Sequence, residues 1–231
     1  MRNRLLAALP AEELARLQPH LKPVELRTRE PLFEPETPIR NVYFPETGVV
    51  SLISRLDEGD AVEVGTAGSE GMVGLSVFLA DDTSSVQAIA QVPGEARCMD
   101  VDVFTQIARA PGALHRLLLR YTQAFLTQVA QTAVCNAAHL VEQRCARWLL
   151  MTHDRVERDE FPLTHEFLAF MLGVRRAGVT VAMRTLKERG LVGYSRGKVR
   201  VVDRAGLEAA SCECYRVVRM HFERLLPAHL S

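Results

Sequence analysis

Excess charge of either sign is missing from this chain: 28 Lys and Arg stand against 28 Asp and Glu. A uniformly basic or acidic protein is excluded, so any affinity for a charged polymer must come from local asymmetry. Long apolar runs are missing as well, none reaching the ~18 residues that a membrane-spanning helix requires. The first residues, MRNRLLAALPAEELARL, read as an amphipathic helix rather than a signal peptide. A cytoplasmic protein with no membrane partner is expected. Cysteine is sparse: Cys98, Cys135, Cys145, Cys212 and Cys214 are odd in number and spread through helical and strand contexts. Reduced thiols are the expectation there.

What is present is uneven. Residues 1–138 carry 12 basic and 17 acidic side chains, residues 139–231 carry 16 and 11. Nucleic-acid affinity therefore belongs to the C-terminal part. At 231 residues and 48% hydrophobic content the chain is long enough to bury two modest cores.

The segment 161–200, FPLTHEFLAFMLGVRRAGVTVAMRTLKERGLVGYSRGKVR, is the most specific. Thr164 is placed to cap a helix carrying Phe167, Leu168, Met171 and Leu172 at helical spacing. Gly173 supplies a turn. A second helix starts near Arg175 or Arg176 and buries Val179, Met183 and Leu186, leaving Arg176, Thr180, Arg184 and Lys187 on its other faces. Gly190 closes it. Residues 191–202 come next as two short strands turning at Arg196, Gly197 and Lys198, the layout of a winged helix-turn-helix. Such a pair lets its second helix enter a major groove about 12 Å wide while the first crosses the backbone. Eight Lys or Arg against two acids between Thr164 and Arg200 fit phosphate neutralisation. The N-terminal residues of that second helix would meet base edges. Arg184, Lys187, Arg196, Lys198 and Arg200 are candidates for phosphate. The bland reading of the same pattern is a solvated basic helix pair in an ordinary helical domain.

Between Val24 and Met99, short segments rich in β-branched and aromatic residues recur at 42–44, 48–53, 61–64, 86–90 and 96–99. Pro31, Pro35, Pro38, Pro45, Gly48, Gly59, Gly65 and Pro93 punctuate them. A small β-barrel or jelly roll is expected. Residues 65–74, GTAGSEGMVG, suit either a backbone cradle for phosphate or a short helix between strands. A short helix near 100–109 precedes a break at Pro111 and Gly112.

A long helical pattern then runs from Ala113 to about Asn136. Leu114, Leu118, Tyr121, Phe125, Gln128, Thr132 and Cys135 repeat at alternating steps of four and three, a coiled-coil seam. The seam predicts a homodimer; its other use is packing on the chain's own barrel. In AASCECYRVV, a helix would point Cys212 and Cys214 about 200° apart, so one thiol is expected to pack and the other to face solvent. No nucleophile, base and acid constellation and no metal-ligand spacing stands out, so neither an enzyme nor a metal site is expected, a thiol redox protein being the least favoured alternative.

The order of parts resembles the Crp/Fnr family of bacterial transcription regulators over nearly the whole length. NVYFPETGVVSLISRLDEGDAVEVGTAGSEGMVGL is similar to its cyclic-nucleotide-binding-type barrel, and LTHEFLAFMLGVRRAGVTVAMRTLKERGLV with a wing and DRAGLEAA to its DNA-binding domain. The resemblance implies an α+β protein: a sensor barrel over 1–110, a dimerisation helix and hinge over 111–138, with the hinge at 136–140, and a winged helix-turn-helix over 139–231. It implies a homodimer on a palindrome whose half-sites lie about one helical turn, ~34 Å, apart. Double-stranded DNA, RNA polymerase and a small-molecule effector are the partners implied.

Departures from the family pattern are as informative. Nucleotide-binding members have a Gly-Glu-hydrophobic-Gly loop, and this chain has Gly71, Met72, Val73 and Gly74. Their Arg-Ser or Arg-Thr phosphate pair falls at Ser84 and Ser85, allowing a two-residue insertion, and their Thr-Ser pair for adenine at Val129 and Ala130. Without the arginine, a charge-assisted contact to phosphate is lost, and Val129 and Ala130 offer adenine no hydrogen bond. Cyclic AMP is not the expected effector; the alternative is a regulator controlled by abundance or polymerase contact. An iron-sulfur sensor needs an N-terminal thiolate cluster, whereas the first cysteine is Cys98, and only His20 and His115 precede His139 as haem ligands. No cofactor is expected. The family's Arg-Glu and second Arg of the recognition helix are replaced by Arg176, Ala177 and Val181, implying a different operator; Arg176 keeps the guanidinium that can read guanine O6 and N7, and Arg175 and Thr180 are candidates to replace the missing contacts.

Overall fold

Some N-terminal strands alternate covered and less covered side chains, as at 41–45 and 61–64, while residues 49–53 and 87–92 are buried throughout. The structure is a computed structural model that describes residues 1–56, 61–156 and 158–226; the turn signal at Gly59 lies outside them. Two short helices, α1 (Arg4–Ala7) and α2 (Ala11–Leu17), open the chain. Strands β1 (Lys22–Leu26), β2 (Pro31–Phe33), β3 (Asn41–Pro45), β4 (Val49–Arg55) and β5 (Ala61–Ala67) come after them, then α3 (Leu75–Phe78), β6 (Gln87–Val92), β7 (Gly94–Asp100) and α4 (Val101–Ala108). One antiparallel sheet has the order β1-β7-β3 and a second the order β2-β6-β4-β5. In the first, Lys22 faces Cys98 and Asn41 faces Asp100.

The remaining elements are α5 (Ala113–Ala138), α6 (Val141–His153), β8 (Glu160–Pro162), α7 (His165–Leu172), α8 (Arg176–Glu188), β9 (Val192–Ser195), β10 (Lys198–Val201), α9 (Arg204–Ala210) and α10 (Glu213–Leu225). The chain divides into two compact units: 1–52, 66–126 and the described residues from 221 onward in one, and the described residues of 53–65 with 127–220 in the other. The division falls inside α5, after Leu126.

In the first unit Leu5, Leu6, Leu26, Ile39, Val42, Phe44, Met99, Phe104 and Tyr121 are fully buried. Phe44 and Phe104 meet with ring centroids 6.3 Å apart. Each such aromatic or aliphatic side chain contributes roughly 1.5–3 kcal/mol on leaving water. Asn3 is also buried and spends its whole amide: Nδ2 donates to the Pro45 and Gly71 carbonyls, and Oδ1 accepts from the Leu6 N–H. The start of α5 is capped from afar, because the Glu13 carboxylate accepts from the Ala113 and Leu114 amides at 2.8 and 3.0 Å.

The second unit is built on α6, whose Leu149 and Leu150 are fully buried with Leu168, Met171, Val179, Leu186, Val199 and Leu207. Polar contacts tie the second half of α5 to α6 and its C-terminal end. Arg147 donates to Thr132 Oγ1 at 2.9 Å and Arg155 to Gln128 Oε1 at 3.3 Å. At the far side, Arg204 gathers Asp154, Glu208, His153 and the Tyr215 hydroxyl around one guanidinium.

Three expectations change here. Leu114, Leu118, Tyr121, Gln128 and Cys135, read as a pairing seam, are buried within their own chain. The exposed large apolar side chains of α5 are instead Leu119, Leu126 and Val134, because the helix is apolar on more than one face and periodicity does not say which face is covered. The 212–214 segment is not one helix: α9 ends at Ala210, Ser211 is extended (φ −78°, ψ 167°) and α10 starts at Glu213, so Cys212 and Cys214 are both buried. Strand β8, unannounced in the sequence, adds an outer strand to the wing in the order β8-β10-β9.

Candidate nucleic-acid interface

Helix α7 begins where Thr164 Oγ1 accepts the Phe167 N–H at 3.1 Å, and its own threonine backbone is extended. The helix ends at Gly173, which takes the left-handed conformation (φ 60°, ψ 42°) that side-chain-bearing residues adopt at a cost. That turn lets α8 start after Arg175. The buried stripe of α8 is Val179, Ala182, Met183 and Leu186, which fixes the opposite face toward water. Arg175, Arg176, Ala177, Thr180, Val181, Arg184, Lys187 and Glu188 are all exposed. Beyond Gly190, β9 and β10 pair with Ser195 opposite Lys198, and Arg196 (φ 50°) and Gly197 (φ 74°) make the tip of the wing.

The exposed face of α8 is the second helix of a helix-turn-helix, with guanidinium at its first turn and an ammonium and guanidinium farther along. Its free cations are not equally free. Arg184 lies 3.8 Å from Glu188, one turn on. Lys198 and Arg200 both reach Glu160 on β8, each at 3.3 Å, and this pair holds the Glu160 carboxyl below its ordinary value, chiefly through the hydrogen bond from Lys198. The wing is therefore less positive than its own residues suggest.

Two more side chains complete this surface: His165, which sequence reasoning passed over, and Val181, which it named only as a departure from the family pattern. His165 stacks on Tyr194 of β9 with ring centroids 4.6 Å apart, and its Nδ1 lies 3.2 Å from the Thr180 hydroxyl. Thr180 in turn donates to the Arg176 carbonyl at 3.0 Å. Partial burial, and then the Arg176 guanidinium, hold the His165 imidazole below its ordinary pKa. The ring braces the first turn of α8 against the wing. A histidine directly after a helix-capping threonine was the available signal. Val181 is the other, an exposed valine on a face otherwise polar.

The residues read as an effector pocket are largely covered by their own chain. Met72 and Val73 are buried, Ser84 is half-buried and Ser85 exposed, while on α5 Val129 is half-buried and Ala130 exposed. Within the 71–74 loop, Val73 exchanges two backbone hydrogen bonds with Tyr43, the Gly71 amide donates to the Gly68 carbonyl, and the Tyr121 hydroxyl donates to the Met72 carbonyl at 2.9 Å. A methyl group at Gly71 would fall 2.4 Å from the Tyr121 ring, so the ring lies where glycine alone leaves room. Among the described residues an open groove of about 810 Å³ in this unit is lined by Val24, Glu46, Thr47, Gly94 and Arg97, none of them from the 71–74 loop.

Comparison with known proteins assigns two parts of the chain to described domains. Residues 23–110 match the model of the cyclic nucleotide-binding domain, and residues 143–210 that of the Crp-like helix-turn-helix domain. No curated protein matches the chain in sequence. Among solved structures it is similar to FixK2 from Bradyrhizobium japonicum, at 18% identity and a TM-score of 0.71 over 83% of this chain and 98% of that one. It is similar to the c-di-GMP responsive global regulator CLP of Xanthomonas campestris, at 22% identity and a TM-score of 0.65 over 83% and 99%. A transcriptional regulator of the CRP family from Thermus thermophilus is 20% identical, with a TM-score of 0.68 over 81% and 96%. At these identities the likeness is one of fold.

Proposed function

Because the chain belongs to the Crp/Fnr family, joining a cyclic nucleotide-binding-type domain to a Crp-like helix-turn-helix, we propose that it is a sequence-specific transcription regulator that binds a palindromic operator as a homodimer. The carrying observation is the exposed face of α8, where Arg176, Thr180, Arg184 and Lys187 stand clear of the buried stripe. Arg176 reads guanine, Thr180 either base or phosphate, and Val181 offers an apolar contact to a thymine methyl. Arg175, Thr164 at the first turn of α7, and Lys187, Arg196, Lys198 and Arg200 set affinity through phosphate. RNA polymerase is the partner through which DNA occupancy would reach transcription.

Cyclic mononucleotide is not the input in this reading. The 71–74 loop lacks the acid and the Ser84–Ser85 pair lacks the arginine that would hold a ribose and a cyclic phosphate, and Tyr121 closes over Gly71. That closure favours control by abundance or by polymerase contact over control at this loop.

Selection from a randomised duplex library by the purified, ligand-free protein, with titration of the enriched site at two salt concentrations, tests both parts. Enrichment of a palindrome with half-sites about one turn apart is the expected outcome. Weak binding with a steep salt slope and no enriched site would defeat the ligand-free reading.

A further inference from the structure

Four side chains that the DNA-binding reading leaves unused converge in the second unit. Cys135 lies near the end of α5, His139 comes one turn later, just past the helix end, and Cys212 and Cys214 flank the start of α10. Every pair of their ligand atoms lies within 4.8 Å. We propose that Cys135, His139, Cys212 and Cys214 form a closed, four-coordinate structural metal site whose ion is zinc.

The distances carry the assignment. Cys135 Sγ is 3.5 Å from Cys212 Sγ, and Cys214 Sγ is 3.7 Å from His139 Nδ1. A zinc ion about 2.3 Å from sulfur and about 2.0 Å from nitrogen sets tetrahedral edges of roughly 3.8 Å between sulfurs and roughly 3.5 Å between sulfur and nitrogen. Those two edges already match, and the widest of the six, at most 4.8 Å, closes by about 1 Å to seat the ion. The donors agree with the geometry, because three thiolates and an imidazole form a common structural zinc set and their softness disfavours magnesium and calcium. The three cysteines are buried and His139 is half-buried, so no coordination position faces bulk water.

Local structure explains how the sequence assembles the set. Cys135 and His139 are four residues apart, which brings both to the same side of the end of α5. The break at Ser211 does the equivalent work on the other side, turning Cys212 and Cys214 inward although only Glu213 separates them. Glu213 has its own place: its Oε2 lies 3.3 Å from His139 Nε2. A carboxylate on the outer nitrogen fixes the tautomer that leaves Nδ1 as the ligand and orients the ring. Three thiolates around a divalent cation carry one net negative charge. The Arg147 guanidinium acts electrostatically on Cys135 and Cys214, and its Nε is buried without a hydrogen-bond partner among the described residues.

Occupied, the site staples residues 77 apart in sequence and brackets the whole helix-turn-helix between them. The other chemistry open to the cluster is a Cys135–Cys212 disulfide, which requires the sulfurs to close to about 2.04 Å and leaves Cys214 and His139 without a task.

The untagged full-length chain, purified under reducing conditions without chelator, is analysed for metal by plasma mass spectrometry. One zinc per chain is expected. Replacement by cobalt(II) is expected to give thiolate-to-cobalt charge-transfer bands and the visible bands of a tetrahedral ion. C212S and C214S are expected to lose the metal, C98S to keep it, and E213Q to keep it with about 10- to 100-fold weaker affinity. Since a cysteine variant can fail to fold, zinc release from the unaltered chain by an organomercurial, read with a chromophoric chelator, is the second measurement. It is expected to track modification of three thiols. The proposal is overturned by absence of stoichiometric metal together with no cobalt spectrum, by zinc retained in folded C212S, by iron in place of zinc, or by a Cys135–Cys212 disulfide that persists in the chain purified under reducing conditions.

Discussion

Gly178 stands in the first turn of α8, where glycine costs up to about 1 kcal/mol relative to alanine. Nothing lies within 4 Å of the position a methyl group would occupy there. Packing therefore does not account for the glycine; in the proposed operator complex its role is to let the DNA backbone approach the helix closely. G178A is expected to raise stability by roughly 0.5–1 kcal/mol in urea denaturation while weakening the operator complex. Unchanged or tighter DNA binding would remove the close-approach explanation. Glu160 gives a second test at this scale. Lys198 and Arg200 must leave it to reach phosphate, so E160Q is expected to strengthen binding to all duplexes alike and to steepen the salt dependence, read as the slope of log affinity against log salt. An effect confined to the cognate sequence would show that Glu160 acts on base readout instead.

Elements with their own punctuation were legible in the sequence. Thr164, Gly173 and Gly190 bound α7 and α8 within a residue or two, because capping and left-handed turns are local chemistry. Strand β8 was not legible: three residues ending in proline become a strand only because Val199 lies opposite Phe161. The break at Ser211 was hidden in the same way, lacking glycine or proline, and with it the convergence of Cys212 on Cys135. The cap on α5 is a long-range feature too, since Glu13 is 100 residues from Ala113. Hydrogen bonds from the Ala113 and then the Leu114 amide hold its carboxyl below its ordinary value of 4.5. A carboxylate with a depressed folded-state pKa contributes stability that is present above pH 4.5 and lost as pH falls through the folded value. E13A is expected to cost about 1 kcal/mol at pH 7, with the gap to the unaltered protein closing in acid. A gap independent of pH would mean that packing, not the charged cap, is what the glutamate supplies.

At the scale of the whole molecule the sequence supplied the succession of parts and the acidic-then-basic charge gradient, while the stripe it offered either for pairing or for packing within the chain is one the single chain already buries for the most part. Leu119, Gln123, Leu126, Ala130, Ala133 and Ala137 are exposed and repeat at steps of four and three, the spacing of a seam between two helices. Leu126 is 55% exposed in the single chain, so L126E disturbs little there, and its unfolding free energy in the dissociated state is expected to stay within about 0.5 kcal/mol of the unaltered chain. In a pair of helices the same glutamate would face its copy in an apolar seam. The expected outcome in sedimentation equilibrium is a dimer for the unaltered protein at micromolar concentration and a monomer for L126E. Operator affinity should fall with it by roughly 10²- to 10⁴-fold, because the second half-site loses the high effective concentration that linkage provides. Affinity for an isolated half-site should not change, since Arg176 and the rest of α8 are untouched. A dimeric L126E, or a monomeric parent that still selects a palindrome, would place the pairing surface elsewhere than on α5.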